Sequence, residues 1–277
     1  MTVPYAEVIG DPISHSKSPI IHQFWLKRLR IEGRYGTRRV TPAGLKTYLH
    51  VRGNDGAWAG CNVTIPLKEQ IPSLLDRLTE QARRVGAVNC VYREGRALVG
   101  TNTDVTGVEA GIADSSVAEP ACVIGAGGAA RAALTALKQR GFVDVRIVAR
   151  DPAKGRALLD LWGFGGEVAP MSSPDGALAG AGLVINASPL GMAGMEAVPQ
   201  SLQQAIGLTV SGAIVFDMVY NPIDTALLAA ARRRERRAVD GLVMLVTQAR
   251  EAFRLFYGEP PPSDPESDRT LRELLIG

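Results

Sequence analysis

Glycines at fixed spacing in residues 125–130 could bind a phosphate group. Gly125 and Gly127 follow the apolar residues 122–124, and Ala130 completes a Gly-x-Gly-x-x-Ala pattern. In a dinucleotide-binding fingerprint such glycines allow a tight turn and a close backbone approach to a pyrophosphate, which sits at the N-terminus of the next helix. Glycine-rich turns also join strands to helices where no ligand binds. This pattern alone therefore predicts either a cofactor loop or an ordinary turn.

Polar side chains that could bind or protonate a substrate follow several predicted strands. The group comprises Ser14, Ser16, Thr64, Lys68 and Asp104. Parallel α/β sheets present ligand-binding groups at the C-terminal ends of their strands. Taken singly, the two serines could be turn residues, Lys68 a solvated surface charge and Asp104 a helix N-cap.

Hydrophobic spacing predicts the elements that position these groups. Residues 5–9 have the pattern of a short strand, and a helix should follow with Pro19 at its first position and Ser18 as N-cap. Residues 60–65 should form another strand, which turns at Pro66 into a further helix. In the second half, residues 122–124 and 145–148 should be strands that flank an alanine-rich helix.

Composition indicates an ordinary globular protein of about two domains. The chain has 277 residues, 46% of them hydrophobic, and a net charge of +3, which is too small to indicate a nucleic-acid or membrane-surface partner. The densest basic run, residues 232–237, should be the solvated end of a helix that begins near Ile223. Residues 176–195 lack charges, but Asn186 and Pro189 favour a strand and a loop over a membrane span.

Cysteine usage and the N-terminus predict a cytoplasmic location. The three cysteines are widely spaced, and no metal-ligand spacing links them to the three histidines. Residues 1–10 lack the charged and apolar regions of a signal peptide. We therefore expect a soluble, cytoplasmic protein without a metal site.

Eight blocks of the sequence, in order along the whole chain, resemble the shikimate dehydrogenase family. They are SHSKSP at 14–19, NVTIPLK at 62–68, GAVN at 86–89, NTD at 102–104, GAGGAAR at 125–131, NASPLGM at 186–192, DMVYNP at 217–222 and DGLVMLVTQA at 240–249. The resemblance implies two α/β domains across a cleft. Residues 1–104, completed by C-terminal helices in 241–277, would form a substrate domain with a mainly parallel sheet. Residues 105–240 would form a Rossmann-type dinucleotide-binding domain.

The family reduces the 3-keto group of 3-dehydroshikimate to the alcohol of shikimate with NADPH, in the shikimate pathway of aromatic amino-acid biosynthesis. The resemblance implies that Lys68 is the proton donor and that Asp104 orients it. Hydride delivery to a carbonyl carbon builds negative charge on the oxygen, and a lysine ammonium can neutralise that charge.

The resemblance also implies binding residues. Ser14, Ser16 and Tyr220 would bind the substrate carboxylate. Thr64, Asn89 and Gln248 would hold the ring hydroxyls, together with Asp104. The cofactor would be bound by Gly125, Ala126, Gly127, Gly128, Ala129, Arg150, Lys154, Ser188, Met218 and Gly241.

The cofactor choice depends on residues 149–154. An arginine after the second strand of a Rossmann fold accommodates the 2′-phosphate of NADP, whereas an acidic residue holds the ribose hydroxyl of NAD. NADP-dependent members of the family typically have Asn-Arg-Thr here, but this chain has Ala149, Arg150 and Asp151, with Lys154 close behind. We expect NADP, with NAD possible, and Asp151 could instead cap the helix that begins at Pro152.

Three other functions are compatible with the sequence. An NAD-preferring quinate/shikimate dehydrogenase is the nearest, since Asp151 favours NAD, and an aminoshikimate dehydrogenase is more distant. A non-catalytic sensor of the same ligands is disfavoured by Lys68, Asp104 and the glycine loop. In each case the partner is a small molecule rather than nucleic acid or membrane, and the chain would be a monomer or homodimer.

Overall fold

Strands and helices alternate along most of the chain in the structure, a computed structural model that describes residues 2–277. The strands are β1 Tyr5–Gly10, β2 Arg34–Arg39, β3 Trp58–Val63, β4 Arg77–Leu78, β5 Cys90–Glu94, β6 Ala97–Thr101, β7 Ala121–Ile124, β8 Val145–Ala149, β9 Val168–Pro170, β10 Leu183–Asn186, β11 Ile214–Asp217 and β12 Arg237–Val239. The α-helices are α1 Ser18–Leu29, α2 Leu45–Gly53, α3 Glu80–Val85, α4 Asp104–Gly111, α5 Gly128–Arg140, α6 Pro152–Trp162, α7 Asp175–Leu178, α8 Gln200–Ala205, α9 Ala226–Arg232, α10 Leu242–Tyr257 and α11 Pro265–Ile276.

The chain divides into two units. The first unit comprises the residues up to Thr103 together with Val246–Gly277, and the second comprises Asp104–Leu245. The helix α10 runs from one unit into the other.

A mixed sheet organises the first unit, in the order β2-β1-β3-β5-β6-β4. The pairs β1–β2, β1–β3 and β4–β6 are parallel, and β5 is antiparallel to both β3 and β6. As a result, the C-terminal ends of β1, β3 and β6 lie at the same edge as the N-terminal end of β5. We call this the upper edge of the first sheet.

A fully parallel sheet organises the second unit, in the order β12-β11-β10-β7-β8-β9. Numbered from β7 as its first strand, this is the 3-2-1-4-5-6 order of a Rossmann fold. The C-terminal ends of its six strands form the upper edge of the second sheet. The predicted α/β fold class, with a Rossmann-type sheet, is confirmed.

Apolar side chains cover both faces of each sheet. In β1, Ala6 and Val8 pack into one cluster with Phe256, whereas Ile9 packs into another with Trp58. The core of the second unit contains residues of β7, β10 and β11 and of helices α7, α8 and α9. Cys61, Cys90 and Cys122 are all buried, and these three residues form no disulfide.

Two predicted helix boundaries are wrong. Lys17 already has helical backbone angles, so α1 begins at Ser18, and Ser18 is not its N-cap. No α-helix follows Pro66, where turns lead to a short 3₁₀ helix, Ile71–Leu74. An α-helix there would pair the Lys68 carbonyl with residue 72, which is a proline without an N–H. The Val88 N–H donates to that carbonyl instead, at 2.8 Å.

The basic run 232–237 is only partly a helix end. Helix α9 stops at Arg232, Glu235 adopts a left-handed backbone with φ 55°, and Arg237 begins β12. The Arg236 guanidinium donates to the carbonyl and the hydroxyl of Thr209, both at 2.9 Å. Part of this run therefore ties the α9–β12 turn to a neighbouring loop.

Residues 2–277 contain neither a membrane-spanning helix nor a metal-binding cluster. None of the helices in that range is long and apolar enough to cross a bilayer. Within the same range, no grouping of three or more His, Cys, Asp or Glu side chains has a metal-binding arrangement.

Candidate active site

The loops after β1 and β3 lie against each other at the upper edge of the first sheet. The Thr64 N–H donates to the Ile9 carbonyl at 2.9 Å, and the Asp11 N–H donates to the Ile65 carbonyl at 3.0 Å. A Cβ atom at Gly10 would overlap the Thr64 side chain, so the close approach requires glycine there. These contacts bring the loop after β1, which carries Ser14 and Ser16 and which we call the serine loop, beside Thr64.

Hydroxyl groups of the serine loop face the start of α1. Ser16 is half-buried and its Oγ accepts the Ser18 N–H at 3.3 Å, whereas Ser14 is exposed. Because the Ser16 oxygen accepts a backbone hydrogen bond, its own hydrogen can point toward an anion. The Lys17 ammonium donates to the Leu275 carbonyl of α11, which places this cation in a structural contact.

Three side chains form a neutral polar network at the same edge, which we call the amide network: Asn89, Thr103 and Gln248. The Asn89 Oδ1 accepts the Thr103 N–H at 2.7 Å, and the Asn89 Nδ2 donates to the Thr103 Oγ1 at 3.0 Å. The Thr103 hydroxyl also lies 3.3 Å from the Gln248 Oε1. All three side chains are buried, so these bonds orient both amide groups.

A second layer supports this network. Tyr35 donates its hydroxyl hydrogen to the Asn62 Oδ1 at 2.7 Å, and the Asn62 Nδ2 lies 3.4 Å from the Asn89 carbonyl. Our sequence reasoning did not assign Thr103, Asn62 or Tyr35 to the site. Thr103 and Asn62 lie within blocks shared with the family, whereas Tyr35 carried no sequence signal.

The two residues predicted to be catalytic, Lys68 and Asp104, follow strands β3 and β6 along the chain. Lys68 is half-buried in the turn after β3, and the hydrogen bond between its carbonyl and the Val88 N–H joins this turn to the segment before Asn89. Asp104 is 4% exposed and is the first residue of α4, where a negative charge is favoured by the helix dipole. Lys68 belongs to the first unit and Asp104 to the second.

The glycine loop lies at the upper edge of the second sheet, between β7 and α5. Gly125 has φ 112°, and a Cβ atom there would come within 3.1 Å of the Ala187 carbonyl oxygen. A Cβ atom at Gly127 would meet no atom within 4 Å. Helix α5 begins at Gly128 without a side-chain cap, and residues 126–129 are only half-buried. Open space above N-terminal N–H groups fits a pyrophosphate.

A buried carboxylate joins the loops that follow β10 and β11. Asp217 is 0% exposed and accepts hydrogen bonds from the Asn186 amide at 2.8 Å, the Val219 N–H at 3.0 Å and the Thr225 hydroxyl at 2.6 Å. The Asn186 Oδ1 accepts in turn from the Ser188 hydroxyl at 2.6 Å. We call this group the carboxylate clamp. It fixes the loop that carries Ser188.

Burial changes proton affinities beside this loop. Desolvation raises the pKa of Asp217 from 3.8 to about 6, although hydrogen bonds from Thr225, Val219 and Asn186 oppose the shift. Desolvation also raises the pKa of the half-buried Tyr220 above its ordinary value, so its hydroxyl remains a hydrogen-bond donor at neutral pH.

Gly241 allows two segments of the second unit to pack closely. A Cβ atom there would come within 2.6 Å of the Val219 carbonyl oxygen and as close to that of Met218. The half-buried Met218 is thereby held between β11 and the start of α10.

Charged side chains surround the end of β8. The Asp151 Oδ1 accepts the N–H groups of Ala153 at 3.0 Å and Lys154 at 3.2 Å, which confirms it as the cap of α6. Arg150 is exposed, and its guanidinium lies 3.4 Å from the Glu196 carboxylate. Lys154 is exposed in the first turn of α6.

The chain is similar to known proteins over its whole length. A family description, the shikimate dehydrogenase substrate binding domain, matches residues 8–91. The chain is 43% identical to a shikimate dehydrogenase (NADP(+)) of Sphingopyxis alaskensis, over 99% of this chain and 97% of the relative. It is 41% identical to one of Mesorhizobium japonicum, over 98% and 95%.

A solved structure gives the same result. The shikimate 5-dehydrogenase of Thermus thermophilus, in complex with NADP(H) and shikimate, has a TM-score of 0.84 and 32% identity. The alignment covers 98% of this chain and 99% of that one. The chain belongs to the shikimate dehydrogenase family.

Proposed function

We propose that this chain is an NADP-dependent shikimate dehydrogenase, which reduces 3-dehydroshikimate to shikimate with NADPH. One observation carries the proposal. All eight blocks that resemble the family lie at the upper edge of one of the two sheets or in the helix α10, which follows β12. Chemistry-bearing residues gathered at strand ends are the usual form of an α/β active site.

The upper edge of the first sheet is the proposed substrate site. Ser14 and Ser16, helped by Tyr220, bind the substrate carboxylate with hydroxyl donors, and the ring hydroxyls are held by Thr64, Asn89 and Gln248. Neutral donors and acceptors suit a polyhydroxylated ring, because each missed buried hydrogen bond costs about 1–3 kcal/mol. The directed amide network supports this assignment.

Lys68 is the proposed proton donor. NADPH, when bound, supplies the hydride that converts the ketone to an alkoxide. The Lys68 ammonium stabilises the developing negative charge and transfers a proton to that oxygen. Asp104 orients the ammonium, as the resemblance to the family implies. In the oxidative direction Lys68 must accept the proton that the substrate hydroxyl releases.

The upper edge of the second sheet is the proposed cofactor site. Gly125, Ala126, Gly127, Gly128 and Ala129 cradle the pyrophosphate, and Arg150 and Lys154 bind the 2′-phosphate. Ser188, Met218 and Gly241 flank the nicotinamide. The uncapped start of α5 and the carboxylate clamp under Ser188 support these roles.

NADP is favoured over NAD at this site. The Asp151 carboxylate holds the first turn of α6, so it is not oriented toward a ribose as an NAD-specific acid would be. This removes the main reason for preferring the NAD-dependent quinate/shikimate reaction.

The same proposal extends to organisation and location. The first unit would be the substrate domain and the second the cofactor domain. Each chain carries a full set of the proposed residues, so a monomer or a homodimer would be active. Burial raises the pKa of the Cys61 and Cys122 thiols, and buried thiols that form no disulfide suit a cytoplasmic enzyme.

A steady-state assay tests the function. We expect turnover of shikimate with NADP⁺, with a higher kcat/KM than for shikimate with NAD⁺ or for quinate with either cofactor. A preference for quinate and NAD⁺ would overturn the proposal in favour of a catabolic enzyme. Ligand binding without turnover would instead support a sensor.

A further inference from the structure

An ion pair crosses the proposed cofactor site. Arg150 follows β8 and Glu196 lies in the loop after β10, and both strands are direct neighbours of β7 in the sheet. The glycine loop extends from β7, between them. The contact of 3.4 Å between Arg150 and Glu196 therefore joins the two sides of the edge at which a dinucleotide would lie.

Backbone contacts hold Glu196 in this place. The Gly191 N–H donates to the Glu196 carbonyl at 2.8 Å, which closes the loop on itself. The Ala193 N–H donates to the Asn221 carbonyl at 2.8 Å, and the carboxylate clamp holds the base of the loop. Glu196 is thus presented by an anchored loop, with its side chain 69% exposed.

The acidic residue next to Arg150 in sequence is not placed to read the ribose. Asp151 caps α6 through its Oδ1, which directs its carboxylate toward the helix. The carboxylate that lies 3.4 Å from the Arg150 guanidinium is that of Glu196. A ribose hydroxyl that approaches Arg150 would reach Glu196.

We propose that Glu196 is a specificity-determining residue for the cofactor. Its carboxylate competes with the 2′-phosphate of NADP(H) for Arg150 and repels that phosphate, since both are anionic. It accepts a hydrogen bond from the 2′-hydroxyl of NAD(H), the role that an acidic residue after the second strand performs in NAD-specific Rossmann folds. This inference rests on the cofactor site of the proposed function, and it assigns the balance between NADP and NAD to Arg150 and Glu196.

Binding of NADP⁺ and NAD⁺ to the full chain, measured by titration calorimetry, tests the inference without turnover. Glu196→Gln keeps the shape and removes the charge. We expect its Kd for NADP⁺ to fall about threefold to fivefold, the range for breaking an exposed ion pair, and its Kd for NAD⁺ to rise. The matched control is Asp160→Asn, which removes one exposed charge from α6 and its 3.9 Å contact with Arg156. That variant should bind both cofactors like the wild type.

A third variant separates Glu196 from Asp151. Asp151→Asn removes the charge and keeps a good N-cap, so it should leave the ratio of the two Kd values unchanged. A shifted ratio in Asp151→Asn, or an unshifted ratio in Glu196→Gln, would overturn the inference. Failure of the proposed function would look different, because wild-type chain would then bind NADP⁺ without oxidising shikimate or would fail to bind it.

Discussion

The amide network of the first sheet and the carboxylate clamp of the second solve the same problem with different chemistry. Each holds polar groups in place at a sheet edge. The amide network consists of neutral side chains in which each bond sets the direction of the next. The carboxylate clamp is centred on one anion that accepts three hydrogen bonds and has no cation among those donors.

Because of this difference, the amide network can orient groups toward a ligand, whereas the carboxylate clamp can only hold loops in place. A threonine hydroxyl between two amides decides which end of each amide points away from it, and so presents a defined pattern to a ligand. A carboxylate only accepts, so it can gather donors from two loops but gives a ligand no direction of its own. The first arrangement suits reading ring hydroxyls, and the second suits holding loops.

Loss of Lys68 should have the largest effect. Lys68→Met should lower kcat by at least ~10²-fold, the usual scale for general acid–base catalysis, because the proposed proton donor is removed. Its Kd for NADP⁺ should stay normal, since the cofactor residues lie in the second unit. Lys46→Met, which changes an exposed lysine of α2, serves as the control. Near-normal turnover in Lys68→Met would refute the assignment.

The carboxylate clamp should make stability depend on pH. Because the pKa of Asp217 is raised from 3.8 to about 6, its protonated form stabilises the fold, and that contribution is lost as the pH rises through 6. The unfolding free energy of the wild type, relative to Asp217→Asn, should therefore fall by about 2 kcal/mol between pH 4 and 7. Urea unfolding at several pH values measures this difference. If the difference in unfolding free energy does not change with pH, the Asp217 carboxylate is not the centre of the carboxylate clamp.

The amide network consists of neutral side chains, so it should give no pH dependence of stability. A change in it should instead alter substrate binding. Thr103→Val keeps the shape but leaves Asn89 and Gln248 without their shared hydroxyl. The KM for shikimate should rise about tenfold, with the KM for NADP⁺ unchanged, since one buried hydrogen-bond partner is lost. Thr103→Ser should restore the hydroxyl and most of the affinity. An equal loss with both ligands would indicate a general structural defect.

Local rules in the sequence predicted the parts of this contrast that depend on short spacing. The glycine pattern predicted a strand, a turn and a helix because Gly125 and Gly127 affect only the local backbone conformation. It could not reveal that Thr103 contacts Gln248, since 145 residues separate them. The same limit applies to Arg150 and Glu196, which are 46 residues apart.

Competition between local preferences explains the wrong prediction of a helix after Pro66. Pro66 predicts a helix start, but Pro72 cannot supply the N–H that such a helix needs, and Val88 bonds to the Lys68 carbonyl instead. Asp151 carried two meanings, an NAD-type acid and a helix cap, and both were compatible with Pro152. Only the positions of the Ala153 and Lys154 N–H groups separate them.

The smallest expected effect concerns this cap. Asp151→Ala should lower the unfolding free energy by about 1 kcal/mol, because two N–H groups at the start of α6 lose their acceptor. Asp151→Asn should keep most of that stability, since asparagine caps helices as well as aspartate. Thermal unfolding of both variants measures the difference. If both variants lost stability equally, the charge of the carboxylate rather than the geometry of the cap would be responsible. Asp151 would then again be a candidate for contact with the cofactor.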